Sequence, residues 1–223
     1  MDPRAYSDTL AATVHVSIGG VPQTAGVLVA FVGESVRGVQ GSTLSIPLGP
    51  YKGKAGFNLI VYGNSEDAGK PLSFKFQDSA GIIINLQASA SFAPNAILGS
   101  ALAPLMANGD YSPPPLGPPP STPPPTPPTI PPPSSPSTVT MTVRLNSGWT
   151  WISLNVEAED MTLNAIFASL TNPMGSQDYV KSQDAFAQFY EGFGFFGSLN
   201  SVVATTMYKV RKEAVSTLSF VGA

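Results

Sequence analysis

Few side chains in this sequence have the type and spacing that chemistry requires. His15 is the only histidine and cysteine is absent. There is therefore no thiolate nucleophile, no disulfide, and no zinc site built from several histidines or cysteines. His15 alternates with Val14 and Val16. That pattern places it on the outward face of a strand, as an ordinary surface residue. Carboxylates cluster at Glu66-Asp67 and at Glu157, Glu159 and Asp160. Glycosidase chemistry needs two carboxylates facing each other across a cleft, and nothing in the spacing pairs these. They are expected to be solvated loop acids. EF-hand spacing is missing, and no G-x-x-x-x-G-K-[ST] loop is present. Gly192-Phe193-Gly194 reads as a hairpin turn. The chain is expected not to be an enzyme, with no catalytic residue, no metal ligand and no cofactor.

Aromatic residues are the better lead. Trp149 and Trp151 share strand parity with Ser153 and Asn155, opposite Ile152, Leu154 and Val156. Two tryptophans on the more polar face suit stacking on sugar rings or packing on a neighbouring module. The alternative is that they fill the core. Trp151, deeper in the strand, is expected to be the structural one, and Trp149, beside the turn Asn146-Ser147-Gly148, the more exposed. Phe186, Phe189, Tyr190, Phe193, Phe195 and Phe196 form a second aromatic group.

These residues must be positioned by elements on either side of a proline block. From Ser112 to Pro136, 15 of 25 residues are proline. Proline fixes φ and lacks an N–H, which excludes helix and sheet interior and favours extended polyproline II. At ~3.1 Å per residue the segment reaches roughly 78 Å as a semi-rigid strut. No Asn-x-Ser/Thr sequon occurs, so standard N-glycosylation is excluded. Any glycan is expected to be O-linked within the strut. The candidates are Ser112, Pro113, Pro114, Pro115, Pro118, Pro119, Pro120, Ser121, Thr122, Pro123, Pro124, Pro125, Thr126, Pro127, Pro128, Thr129, Pro131, Pro132, Pro133, Ser134, Ser135 and Pro136. The strut divides the chain into 1–111, 112–136 and 137–223.

Residues 1–111 carry period-two alternation, with Val14, Val16 and Ile18 on one face and Leu72, Phe74 and Phe76 on another. Gly-rich turns punctuate the runs. About seven short strands at this spacing predict an antiparallel β-sandwich. In residues 137–223 the period changes to a helical one over Leu163, Ile166, Phe167 and Leu170, capped by Thr162 and stopped by Asn172-Pro173. A small α+β domain with one helix on a mainly antiparallel sheet is expected. The whole chain is mainly β.

Charge narrows the partners. The 223 residues hold 11 Lys+Arg against 14 Asp+Glu, a formal charge of −3. No basic surplus exists to hold a phosphate backbone or to tether the chain to acidic lipid. No apolar run is long enough to span a bilayer. The first residues lack the basic and apolar regions of a secretory signal. Both ends lie close to strand-like sequence, and the chain reads as a piece of a longer protein.

Ala30-Phe31-Val32-Gly33-Glu34-Ser35-Val36-Arg37-Gly38-Val39, Gly49-Pro50-Tyr51-Lys52-Gly53-Lys54 and Val61-Tyr62-Gly63-Asn64 resemble a β module repeated in large secreted and surface proteins of microbes. Gly148-Trp149-Thr150-Trp151-Ile152-Ser153-Leu154-Asn155-Val156 resembles a partner module that often follows it, as do Val180-Lys181-Ser182-Gln183 and Met207-Tyr208-Lys209-Val210. The proline block is similar to hydroxyproline-rich cell-wall glycoproteins. The resemblance implies tandem arrays at the cell surface or outside the cell, and no catalytic residues. The expected function is a structural module of an extracellular fibre, wall or surface protein, whose partners are copies of itself or neighbouring modules in a filament. The alternative is a carbohydrate-binding module of a secreted adhesin, using Trp149 and Trp151.

Overall fold

Ten strands of the N-terminal part form one hydrogen-bonded sheet that curls around an apolar core. The computed structural model describes residues 2–110 and 138–223. The proposed linker and all its glycosylation candidates lie outside the described residues. The strands are β1 (Asp8–Ile18), β2 (Val21–Pro22), β3 (Val27–Val32), β4 (Ser35–Gln40), β5 (Leu44–Ser45), β6 (Ala55–Gly63), β7 (Pro71–Gln77), β8 (Ile83–Ser91), β9 (Ile97–Leu98) and β10 (Leu105–Gly109). Their order is β4-β3-β7-β8-β10-β1-β6-β5, with β2 and β9 also on β1. Most pairs are antiparallel, as expected, but β1 runs parallel to both β10 and β9. The path nearly closes on itself where β4 meets β6. There Gln40 Nε2 donates to the Asn58 carbonyl at 2.7 Å, and a Cβ on Gly38 would run into the Ile60 carbonyl. Shifts of register in the β3–β4 and β7–β8 pairs mark bulges, which bend strands and deepen twist.

Alternation predicted the inner face correctly. Leu72, Phe74 and Phe76 are buried and their neighbours exposed. Val14, Val16 and Ile18 are buried too. The other face of β1 overturns an expectation: Thr13 is buried, and His15 is only 2% exposed. The His15 Nδ1 lies 2.8 Å from the Ala55 carbonyl, which accepts its proton, and the ring stands 5.9 Å from Tyr51. Both faces of β1 are covered, one by the core and one by loops and the second part of the chain.

The C-terminal part holds β11 (Val139–Leu145), β12 (Gly148–Ser153), helix α1 (Leu163–Phe167), β13 (Tyr179–Lys181), β14 (Phe186–Tyr190), β15 (Gly194–Gly197), β16 (Met207–Lys212) and β17 (Ser216–Gly222). Thr162 caps the helix, its Oγ1 accepting from the Ala165 N–H at 3.4 Å. Two sheets form where one was expected. β11 pairs with β17, while the path β12-β16-β13-β14-β15 makes a five-stranded antiparallel sheet. The turn at Asn146-Ser147-Gly148 therefore hands the chain from one sheet to the other and makes no hairpin. A second core, separate from the first, gathers Leu145, Ile152, Leu154, Val156, α1 and Val210.

Of the acids expected in solvated loops, Glu66, Glu157, Glu159 and Asp160 are exposed, and Asp67 is the exception. Asp67 is buried and accepts from Lys70 Nζ at 2.7 Å, Arg37 at 3.2 Å and the Asn64 N–H at 3.0 Å. The hydrogen bond from Lys70, then that from Asn64, holds its carboxyl below the usual range. This completes a capping box on the short turn Ser65–Asp67.

Candidate functional site

Strand register builds the site. Trp151 on β12 faces Lys209 on β16, and Lys209 faces Lys181 on β13. One residue pair further along, Trp149 faces Arg211 and Arg211 faces Tyr179. Because side chains alternate with period two, these six project from one face of the five-stranded sheet. Ile152, Val180 and Val210 project from the other into the core. The rows interlock aromatic and cationic groups. Lys209 Nζ lies 4.5 Å from the Trp151 ring centre and Lys181 Nζ 4.8 Å from that of Trp149.

This face meets the N-terminal part. Phe186 packs with Ala11, Ile60 and Tyr62. Tyr190 and Phe196 pack with Ile46 and Ala101. The Tyr190 hydroxyl accepts from the Ala101 N–H at 2.8 Å and donates to Gln188 Oε1 at 2.6 Å. The buried outer face of β1 and β6 is thus one wall of a seam between the two parts.

At one end the seam opens into a cleft of about 560 Å³ lined by Tyr6, Tyr62, Trp151, Lys181, Thr206 and Lys209, among others. Asn95, outside the lining, holds the two lysines. Ala93-Pro94-Asn95-Ala96 is a turn closed by the Ala96 N–H on the Ala93 carbonyl at 3.1 Å. Its third position takes φ 60°, which asparagine tolerates better than most residues. Asn95 Oδ1 accepts from Lys209 Nζ at 2.7 Å and from Lys181 Nζ at 3.3 Å. Lys181 also donates to Thr9 Oγ1 at 3.0 Å.

The tryptophans sit opposite to expectation. Trp151 is 59% exposed, and Trp149 is half-buried beside Lys181. Depth along the strand does not determine exposure here: Trp149 lies under the Lys181 ammonium, and Trp151 stands at the mouth of the cleft. Lysines 181 and 209 and Asn95 carried no signal in the sequence. Trp151 next to an alternating strand was the only clue. Of the second aromatic group, Phe186, Tyr190 and Phe196 belong to the seam, Phe189 and Phe195 edge the core, and Phe193 is exposed. Among the described residues no three His, Asp or Glu side chains gather as a metal site, and no helix is long and apolar enough to cross a membrane.

Electrostatics follow from burial. Lys181 is 3% exposed. Burial, then the charge of Lys209, pushes its ammonium down to about 8, while Asp8 acts the other way. Lys209 is lowered by burial as well. Burial, then Asp184, pushes the Tyr62 hydroxyl up to about 12; burial, then Tyr190, does the same for Tyr179. The unfolded chain has ordinary values of about 10.4 for lysine and about 10 for tyrosine. Above pH 8 the folded Lys181 gives up its proton while the unfolded one keeps it, so stability rises with pH. Above about pH 10 the unfolded tyrosines ionise first, and stability falls again. Thermal melts are expected to rise from pH 8 to a maximum near about pH 10. Lys181→Met reduces the rise, leaving the part due to Lys209. A melting temperature that falls steadily across this window contradicts the assignment.

Compared with protein-family models, with curated proteins and with solved structures, the chain matches none.

Proposed function

We propose that this chain is a carbohydrate-binding module of an extracellular or cell-surface protein, with the cleft at the seam as its site. Trp151 carries this reading. Tryptophan is highly buried on average, yet here it stands 59% exposed at the mouth of a concave site. An exposed aromatic face among a few convergent polar groups is the form of a small-ligand site. The C–H face of a sugar ring stacks on such a surface, and Thr206, Lys209 and Tyr6 supply hydrogen-bonding groups around it. Trp151→Ala removes little buried area, so it should change stability by under about 1 kcal/mol. It should abolish binding on a glycan array or weaken it at least tenfold, about 1.4 kcal/mol. Wild-type binding retained by the mutant removes the reading.

A second reading, a structural module packed against its own copies or neighbouring modules in a filament, has its own observation. β11 and β17 form a two-stranded sheet whose Val139 and Val221 are exposed, and open strand edges invite pairing. The same array separates the two, because a purely structural module binds no glycan.

Under either reading the curled N-terminal sheet serves as a sandwich-like platform for the smaller α+β domain. The Pro, Ser and Thr residues of 112–136 are then O-glycosylated, since an uncharged proline-rich segment needs solvation and protection from proteases. Mass spectrometry of native material is expected to find hexose or pentose additions within 112–136; an unmodified segment removes this part.

A further inference from the structure

We propose that Lys209, backed by the charge of the buried Lys181, selects an acidic saccharide, holding the carboxylate of a uronic-acid residue whose ring stacks on Trp151. The proposal rests on the cleft being a saccharide site and adds the charge of its ligand. Two ammonium groups in register share one acceptor, Asn95 Oδ1. Among the described residues neither has a carboxylate within ion-pair distance; the three ion pairs that form lie at Asp67 and Asp178. Lys181 is buried with neutral oxygens alone, those of Thr9 and Asn95, as hydrogen-bond partners. An ammonium taken out of water without a counter-charge is costly, and a second beside it adds repulsion. Evolution of a purely structural seam would more simply put an apolar residue or a carboxylate there. Lys209 has one hydrogen bond, to Asn95, and an ammonium offers three donors. Two donors are left for a ligand, beside the open Trp151 ring.

The cleft dictates the ligand class. Its cationic residues are Arg4, Lys181 and Lys209, too few to follow a nucleic-acid backbone on a chain of charge −3. A carboxylate accepts two hydrogen bonds side by side, and a pyranose carries one next to an apolar C–H face. That combination matches the two free donors of Lys209 next to an indole. The carboxylates that oppose such a ligand are Asp8, which acts on both lysines, and Asp184, which acts on Tyr62.

The test uses the full chain and matched probes: trisaccharides of galacturonate, glucuronate and mannuronate, each with its fully methyl-esterified form. Titration calorimetry at low salt should show at least one acid binding at least tenfold more tightly than its ester. The difference should shrink as salt rises. Lys209→Met should erase the difference in affinity between the acid and its ester. Trp151→Ala should weaken both. Lys209 is only half-buried, so its variant is expected to melt near wild type; a Lys209→Gln variant with the same binding loss guards against a folding artefact. Equal affinity for acid and ester overturns the charge proposal and leaves the saccharide reading standing. Acid binding that Trp151→Ala does not touch overturns the stacked-sugar reading and this proposal with it. Absence of binding by any probe overturns the proposal, while neutral ligands found on the array would keep the broader reading alive.

Discussion

Asp178→Ala is expected to lower the stability of the C-terminal part by about 3–5 kcal/mol, the cost of stranding a buried charge. Asp178 and Lys212 are both almost fully buried and their Oδ2 and Nζ atoms are 2.6 Å apart. The carboxylate also accepts from the Gly175 N–H at 2.8 Å and the Glu213 N–H at 2.7 Å. It therefore ties the loop before β13 to the end of β16. Lys212 keeps only the Pro173 carbonyl, at 2.7 Å, once Asp178 is gone. A whole domain has about 5–15 kcal/mol in hand, so the mutant should be largely unfolded at moderate urea. Adding Lys212→Met to Asp178→Ala should recover much of the loss, because no charge is then left unpaired. Urea midpoints of the two single mutants and the double decide it. A single-mutant loss below about 1 kcal/mol is incompatible with a buried pair.

Phe57→Ala should cost the N-terminal part a similar amount, about 3–5 kcal/mol. Phe57 on β6 is fully buried and meets Phe76 of β7 edge to face, with ring centres 5.7 Å apart at 78°. β6 and β7 are not hydrogen-bonded neighbours. The pair therefore packs across the interior of the curled sheet, and its removal opens a cavity that neighbouring strands cannot fill. Phe193→Ala is the control. Phe193 is exposed at the β14–β15 turn, and its loss should stay within about 0.5 kcal/mol. Equal melting shifts for the two mutants would falsify this placement of the core.

The helix and the inner faces of the strands were legible because they depend on short-range rules. Leu163, Ile166 and Phe167 fall on one side of any helix with 3.6 residues per turn, and Thr162 caps it through a contact three residues away. Leu72, Phe74 and Phe76 fall on one side of any strand. The outward residues were misread wherever a second layer covers them. Thr13 and His15 look solvent-facing because they are polar and alternate with valines. Phe186, Tyr190 and Phe196 from the other end of the chain close the region over that face.

From the residues alone came the mainly β character, the single capped helix, the inner face of each strand and the absence of cysteine or multi-histidine chemistry. Each of these depends on residue type or on spacing within a few positions. Only the tertiary structure decided that β11 pairs with β17 instead of β12, that β1 lies parallel to β10, and that Lys181 and Lys209 meet on Asn95 beside a cleft. Asn95 is 86 residues from Lys181 and 114 from Lys209. No local periodicity reports a contact at such separation, because the pairing depends on which long loops close and which faces remain to be covered. The charge at the seam belongs to that second kind of information: a lysine on a strand looks solvated until another part of the chain is folded over it.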